Sequence, residues 1–249
     1  MESNKMTVSI IIPAYNEESL LPVTLDAIDK VRGLLPVPLE VIVADNNSKD
    51  KTGEVASAHT GVTVVKEINK GTNWARQAGL NKATGDIVVF LDADCVVDAQ
   101  WCRSLVRHFE SDPKLVGLSG PYRYYDLTWG QNAFYWMCCA IISGVSRAAG
   151  LFDKGEMAIG GNLAARRGAL LAAGGLNTTL KFYGDDTDTA ERLQQRGKMR
   201  FTLSFSVISS ARRLLKEGFW TVTWKYLQNY IWITLYGRPH DEKNTDVRT

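Results

Sequence analysis

The chain has 249 residues, 45% of them hydrophobic and 22% charged, an ordinary globular balance that excludes a disordered, collagen-like or low-complexity protein. Lys and Arg number 29 against 27 Asp and Glu, a formal charge of +2, too even for a chain whose main partner is nucleic acid. The four cysteines, Cys95, Cys102, Cys138 and Cys139, make no CxxC pair, so buried thiols in a reduced compartment are expected rather than a disulfide scaffold or a structural zinc.

Met1 to Thr7 is polar and leads into a short apolar run ended by Pro13, without the apolar core of a signal peptide, and a cytoplasmic protein is expected. Strands are predicted at Val8 to Ile12, Leu39 to Ala44, Val62 to Val65 and Ile87 to Leu91, apolar nearly throughout, as strands covered on both faces should be. Between them, Leu20 to Arg32, Thr52 to Thr60 and Thr72 to Ala83 space their apolar residues near a period of 3.6 and predict helices, the second capped by Ser48 or Asp50. This alternation predicts βαβ units on a mostly parallel sheet. Polar residues follow the strands: Pro13-Ala14-Tyr15-Asn16-Glu17, Asp45-Asn46-Asn47-Ser48 and Asp92-Ala93-Asp94. Open α/β sheets bind ligands at that carboxyl edge, so one site assembled from separate loops is expected.

The texture changes near Pro113 to Pro121, after which aromatic and Gly-rich segments replace the βαβ alternation. Polar signals return at Gly160-Gly161-Asn162 and at Phe182 to Asp188, where Gly184-Asp185-Asp186 leads into a predicted helix. The apolar stretch Phe134 to Ile142 has nine residues, far short of the ~20 of a spanning helix. Phe219 to Tyr236 holds seven of the 24 aromatic residues, among them Trp220, Trp224 and Trp232. Two readings stand for this stripe: packing against the sheet, or an interfacial helix resting on an anionic membrane beside Arg212, Arg213, Lys216 and Lys225.

Several chemistries are excluded by motif. No two glycines are separated by a single residue, which removes the GxGxxG dinucleotide loop; Glu156 and Gly161 stand where a P-loop needs Lys; HExxH and the Gly-x-Ser-x-Gly elbow are absent. Asp92-Ala93-Asp94 suits a hard divalent cation, which takes one or two carboxylates and completes its shell with phosphate and water; an acidic turn is the plain alternative. Asp45 stands where its carboxylate can accept hydrogen bonds from a base or ribose, and the amides of Asn46 and Asn47 can do similar work. Asp185 and Asp186 repel one another's ionised forms, which lifts a pKa toward the range of a general base, whereas a helix N-terminus lowers it.

Four segments in this order and spacing, Val8 to Glu18, Asp45 to Asp50, Gly85 to Asp94 and Gly184 to Arg192, resemble family 2 glycosyltransferases of the GT-A fold. The resemblance runs from about Val8 to Arg200. It implies an α/β fold, a Rossmann-like mostly parallel sheet flanked by helices, in one domain: a nucleotide-sugar lobe over about 7–115, an acceptor lobe over about 116–210 and a C-terminal aromatic segment over 211–249. The implied reaction is an inverting transfer of a sugar from a UDP- or GDP-sugar to a hydroxyl of a glycan or lipid-linked acceptor, assisted by Mg²⁺ or Mn²⁺. Pro13, Ala14, Tyr15 and Glu17 would line the nucleotide pocket, Asp45 and Asn46 would read base or ribose, and Arg76, Asp92 and Ala93 would lie by the ribose and sugar diphosphate. Asp94 would bind the metal with Asp92, and Asp186, beside Asp185, would be the base. Gly161 and Asn162 would sit beneath the acceptor, and Arg212 and Arg213 would reach the diphosphate.

Three departures stand out, the first a conservative one: Asp185 stands where the family more usually has Glu. Asn46 occupies a position where the family often has a second Asp, and Val207 to Ser210 lacks the His that helps many relatives bind metal; His59 and His108 read as helix residues, and His240 lies too far along to place. A nucleotidyltransferase is a competing reading, yet Pro13 to Glu18 is acidic where such an enzyme has a Gly-rich basic loop. A non-catalytic sugar-binding module is another, although neither Asp94 nor Asp186 is lost. Membrane contact is expected only as a peripheral one, through 219–236.

Overall fold

A computed structural model describes residues 6–148, 156–180 and 184–236. Its first half follows the predicted alternation: β1 (Val8–Ala14), α1 (Leu21–Arg32), β2 (Leu39–Asp45), α2 (Thr52–Ala58), β3 (Val62–Lys66), α3 (Thr72–Lys82), β4 (Ile87–Leu91) and α4 (Ala99–Ser111). There follow β5 (Leu115–Ser119), β6 (Tyr122–Tyr124), α5 (Trp129–Ala148), β7 (Asn162–Arg166), α6 (Arg167–Ala172), α7 (Asp185–Gln194), β8 (Lys198–Phe201), β9 (Val207–Ser209), α8 (Arg212–Glu217) and α9 (Phe219–Tyr236).

Seven strands form one sheet in the order β3-β2-β1-β4-β7-β5-β8. All neighbours pair parallel except β7, which runs antiparallel to both β4 and β5. That reversal, which sequence periodicity did not predict, places the start of β7 beside the end of β4, where Leu91 pairs with Asn162. A segment from the second half thereby joins the carboxyl edge of the first. A smaller parallel pair, β6 with β9, stands beside this edge.

Strand β1 continues through Pro13, a residue that normally ends central strands. Alternation explains it: Val8 N donates to Pro38 O and Ala14 O accepts from Asn46 N, both toward β2, so the odd-numbered residues face β4. Pairing with β4 stops at Ile11 and Phe90, and the N–H that Pro13 lacks points past the last rung.

Apolar side chains fill both faces of the sheet. One core layer contains Ile10, Ile12, Leu25, Val89, Trp101 and Phe205; the opposite layer contains Ile11, Leu80, Phe90, Leu163 and Leu193. Cys95, Cys102 and Cys139 are buried as expected, while Cys138 is only half-buried, and all are free thiols. A third cluster joins Leu127, Ala211, Leu214, Phe219 and Val222. One face of α9 therefore packs inward, beside α8, while Trp220 and Trp224 stay 66% and 60% exposed. Among the described residues no helix is long and apolar enough to cross a membrane.

Candidate active site

The loops after β1 and β2 are hooked together. Asn16 N donates to Ser48 Oγ (3.1 Å) and Asn16 Oδ1 accepts from Lys49 N (2.9 Å), while Glu17 N donates to Thr52 Oγ1 (2.7 Å). Asn16 and Asn47 both adopt left-handed backbone, φ 52° and 60°, which Asn tolerates better than most residues. Ser48 serves this clasp rather than the predicted cap, while Asp50 does both: its Oδ2 accepts from Glu18 N (3.1 Å) and its Oδ1 from Thr52 N (3.0 Å), the first N–H of α2. His59 lies just past the end of α2, near Asp26 and Asp29, not within the helix.

Asp45 sits at the clasp, its Oδ1 accepting from Ser48 N at 3.0 Å. The Asn46 amide is used internally: Nδ2 donates to Glu67 O (3.1 Å) and Asn69 O (2.6 Å), and Oδ1 accepts from Gly71 N (2.8 Å). It pins the β3–α3 loop. Pro13 and Tyr15 are half-buried at the end of β1, with Lys70 Nζ over the Tyr15 ring at 5.1 Å, while Ala14 and Ala93 are buried.

The charged centre comes from five parts of the chain. Arg76 on α3 donates Nη2 to Asp92 Oδ1 (3.3 Å) and Nη1 to Asp185 Oδ2 (3.0 Å). The other Asp92 oxygen accepts from Tyr122 OH at 2.8 Å; burial, with Asp92 beside it, pushes that phenol well up, so it stays a donor. Arg212, the first residue of α8, bridges Glu17 Oε1 (2.7 Å) and Asp94 Oδ2 (3.0 Å) through one nitrogen. Ser209 Oγ approaches Asp94 Oδ1 at 3.4 Å. Arg213 turns away, toward Glu217 at 3.7 Å and Tyr226 at 3.4 Å.

Glycine permits this closeness at Gly161, where a Cβ would fall within contact of Asp92 and the Tyr122 hydroxyl. Asp92 N also donates to Gly161 O at 3.2 Å. Gly184, at φ 89°, makes the left-handed turn that starts α7 with Asp185 and Asp186. The preceding Phe182 and Tyr183 lie outside the described residues, as does His240.

Asn162 is fully buried and serves as a brace: Oδ1 accepts from Trp101 Nε1 (2.9 Å), and Nδ2 donates to Gly120 O (3.1 Å) and Phe205 O (2.6 Å). Its amide carries the weight of the floor and has no group left for a ligand. Tyr122, Ser209 and the Glu17–Arg212 bridge were not singled out by sequence. The aromatic run containing Tyr122 was visible, but its contact with Asp92 depends on the β6–β9 pairing.

Burial and the neighbouring Asp185 push Asp186 up to about 7, against hydrogen bonds from backbone N–H groups, including Thr187 N at 2.9 Å. Burial also raises Asp185, while Arg76 opposes it. Asp94 is raised to about 6 by burial and then by Asp92, with Arg212 opposing. Burial first, and carboxylate repulsion second, thus outweigh the backbone hydrogen bonds at the start of α7 for Asp186.

Among the described residues Glu17, Asp92, Asp94, Asp185 and Asp186 face two guanidiniums, Arg76 and Arg212, and Glu17 Oε2 is buried without a hydrogen-bond partner. No three such side chains among the described residues converge on one ion position, so a hard divalent cation would take only one or two of these carboxylates and complete its shell with phosphate and water.

The family described as "Glycosyl transferase family 2" matches residues 9–171. An undecaprenyl-phosphate 4-deoxy-4-formamido-L-arabinose transferase of Yersinia enterocolitica is 33% identical over 129 residues, 49% of this chain and 39% of that protein. An uncharacterised glycosyltransferase of Mycobacterium tuberculosis is 38% identical over 109 residues, 44% of this chain and 46% of that one. The chain spans less than half of these relatives. Among solved structures, a mannosyltransferase of Pyrobaculum calidifontis in complex with GDP-Man and Mn²⁺ is similar at 26% identity with a TM-score of 0.64, covering 84% of this chain and 58% of that one. Glucosyl-3-phosphoglycerate synthase of Mycobacterium tuberculosis, in complex with Mn²⁺, UDP and glucosyl-3-phosphoglycerate, shares the fold at 22% identity and a TM-score of 0.64, over 95% of this chain and 82% of that one. The mostly parallel sheet flanked by helices is the GT-A type expected from the sequence.

Proposed function

The chain belongs to glycosyl transferase family 2, and from that premise we propose that it moves a sugar from a nucleoside-diphosphate donor to a glycan or lipid-linked acceptor with inversion. The observation that carries this reading is the convergence of Asp45, Asp92, Asp94 and Asp186, from three segments, on one sheet edge, with Asp186 held near 7. Asp45 and the Tyr15 ring offer the nucleoside its contacts. Asp94 with Asp92 would hold Mg²⁺ or Mn²⁺, which supplies positive charge against the departing diphosphate.

Within the chain's own chemistry, Asp186 takes the proton of the acceptor hydroxyl as that oxygen attacks the anomeric carbon from the face opposite the nucleotide. Asp185, held by Arg76, keeps a negative charge beside Asp186 and so raises its basicity. A single displacement inverts the anomeric centre, through a transition state of oxocarbenium character. The glycosyltransferase names of its relatives and the GDP-Man or UDP bound by its structural neighbours support this assignment.

A lipid-linked acceptor is favoured by the exposed Trp129, Trp220 and Trp224, the ring contact of Phe134 with Trp220 at 5.1 Å, and the absence of Asp and Glu from α5 and α9. Such a face suits the headgroup zone of an anionic membrane. The test combines a screen of UDP- and GDP-sugars with Mn²⁺ and sedimentation with anionic vesicles. One donor should bind to the wild type and lose affinity in Asp94→Ala, and Trp220→Ser with Trp224→Ser should release the protein from vesicles. Failure of every donor to bind would sink the transferase reading.

A relative named for transfer to undecaprenyl phosphate makes acceptor chemistry testable at the same site. A phosphate acceptor is largely ionised near neutral pH, having a second pKa of about 6, and needs little help from a base. A large rate loss in Asp186→Asn therefore favours a hydroxyl acceptor, and a small one a phosphate.

A further inference from the structure

Arg212 occupies the position that a cation at Asp94 needs. Its Nη2 lies 3.0 Å from Asp94 Oδ2 and 2.7 Å from Glu17 Oε1. Both carboxylates are enclosed, with side chains 13% and 5% exposed. Charge held at such distances in a poorly solvated pocket is strongly felt, and a second cation on the same oxygen must displace the first or share it at a cost. The backbone on which Arg212 stands is held by its turn, through Ser210 Oγ to Asp126 Oδ2 (2.8 Å) and Ala211 N to Asp126 Oδ1 (2.7 Å), and by Ala211 and Leu214 in the apolar cluster with Phe219, while the Arg212 side chain itself is 28% exposed. The six-residue α8 then leads through Gly218, at φ 92°, into α9.

We propose that Arg212 and the divalent cation take turns at Asp94: without the cation the guanidinium holds Asp94 and Glu17 together, and when the cation arrives the guanidinium leaves Asp94 and turns to the donor diphosphate. This rests on the reading of Asp94 as a cation ligand. It gives Arg212 two opposed effects, as a competitor of the metal alone and as a partner of the metal with nucleotide. A fixed structural salt bridge would oppose the metal by charge alone but would lack the second effect and the loosening of its backbone. No covalent bond changes; one cation replaces another on a carboxylate, and the released guanidinium gains a phosphate partner of matching geometry.

Mn²⁺ alone is the first probe, followed by electron paramagnetic resonance of the free ion. Arg212→Gln should bind Mn²⁺ alone about tenfold more tightly than the wild type, while binding Mn²⁺ with UDP or GDP more weakly; Arg212→Lys, which keeps a positive charge, should stay close to the wild type in the first titration. Hydrogen exchange on the wild type supplies a measurement that needs no variant: saturating Mn²⁺ without nucleotide should speed amide exchange in residues 210–217. Unchanged exchange there, or unchanged or weaker Mn²⁺ binding in a folded Arg212→Gln, would overturn the exchange. Asp94→Asn separates the two ideas: if it leaves Mn²⁺ binding intact, the cation-ligand reading itself has failed.

Discussion

Asp92 and Asp185, brought from opposite halves of the chain, share one guanidinium: Arg76 donates to the first at 3.3 Å and to the second at 3.0 Å. The Arg76 side chain is 7% exposed, and desolvation is offset by the two carboxylates, which hold its charge. Removing this one cation exposes the loop after β4 and the start of α7 to their mutual repulsion.

Arg76→Met should therefore lower unfolding stability by about 2–4 kcal/mol, somewhat below the full cost of breaking a buried pair because Asp92 keeps contact with water. Arg76→Lys should recover only part, since an ammonium lacks the fork that reaches both partners. Urea unfolding at pH 7 measures it. A Met variant as stable as the wild type would mean that the pair is not the link between the halves.

Activity should rise with pH through about 7, as Asp186 loses its proton. In Asp186→Asn, turnover should fall roughly 10²–10⁴-fold with a hydroxyl acceptor, and the rising limb should vanish. A limb that persists in the variant would assign the base elsewhere.

The same shift has an opposite effect on stability. Asp186 binds its proton more tightly folded than unfolded, so between pH 4 and 7 the native state holds more protons and stability falls as pH rises, flattening above about 7. Asp186→Asn should consequently be more stable than the wild type at pH 8, by about 1–3 kcal/mol, and close to it at pH 4. Thermal melts at the two pH values decide it; an equal difference at both would remove the linkage.

Asn162→Ala strands Trp101 Nε1 and the carbonyls of Gly120 and Phe205 in the core. Buried polar groups left without partners cost about 1–3 kcal/mol each, and collapse around the smaller side chain recovers some of it. A loss of roughly 3–5 kcal/mol is expected, read as a fall in the urea midpoint. Full stability with lost acceptor affinity would return Asn162 to the acceptor site.

The βαβ half was legible because its strands are buried on both faces and its helices on one, so burial is written directly into local periodicity. Strands β1 to β4 begin where the apolar runs begin, and α1 and α3 fall within a residue of their predicted starts. The antiparallel β7 was not legible: Asn162-Leu163-Ala164-Ala165-Arg166 has no distinctive alternation, and only its neighbours β4 and β5 decide its direction.

By itself the sequence determined which chemistry was available: oxygen donors after strand ends, a pair of aspartates opening a helix, and no motif for dinucleotide, P-loop or serine chemistry. Tertiary structure decided the pairing. Arg212 reaches Asp94 while its neighbour Arg213 does not, and Asn46 and Asn162, each polar and next to a site residue, are used up in holding loops and floor. Identity and spacing fix a side chain's chemistry, but its partner depends on which segments the sheet order brings within about 3 Å, the reach of a hydrogen bond.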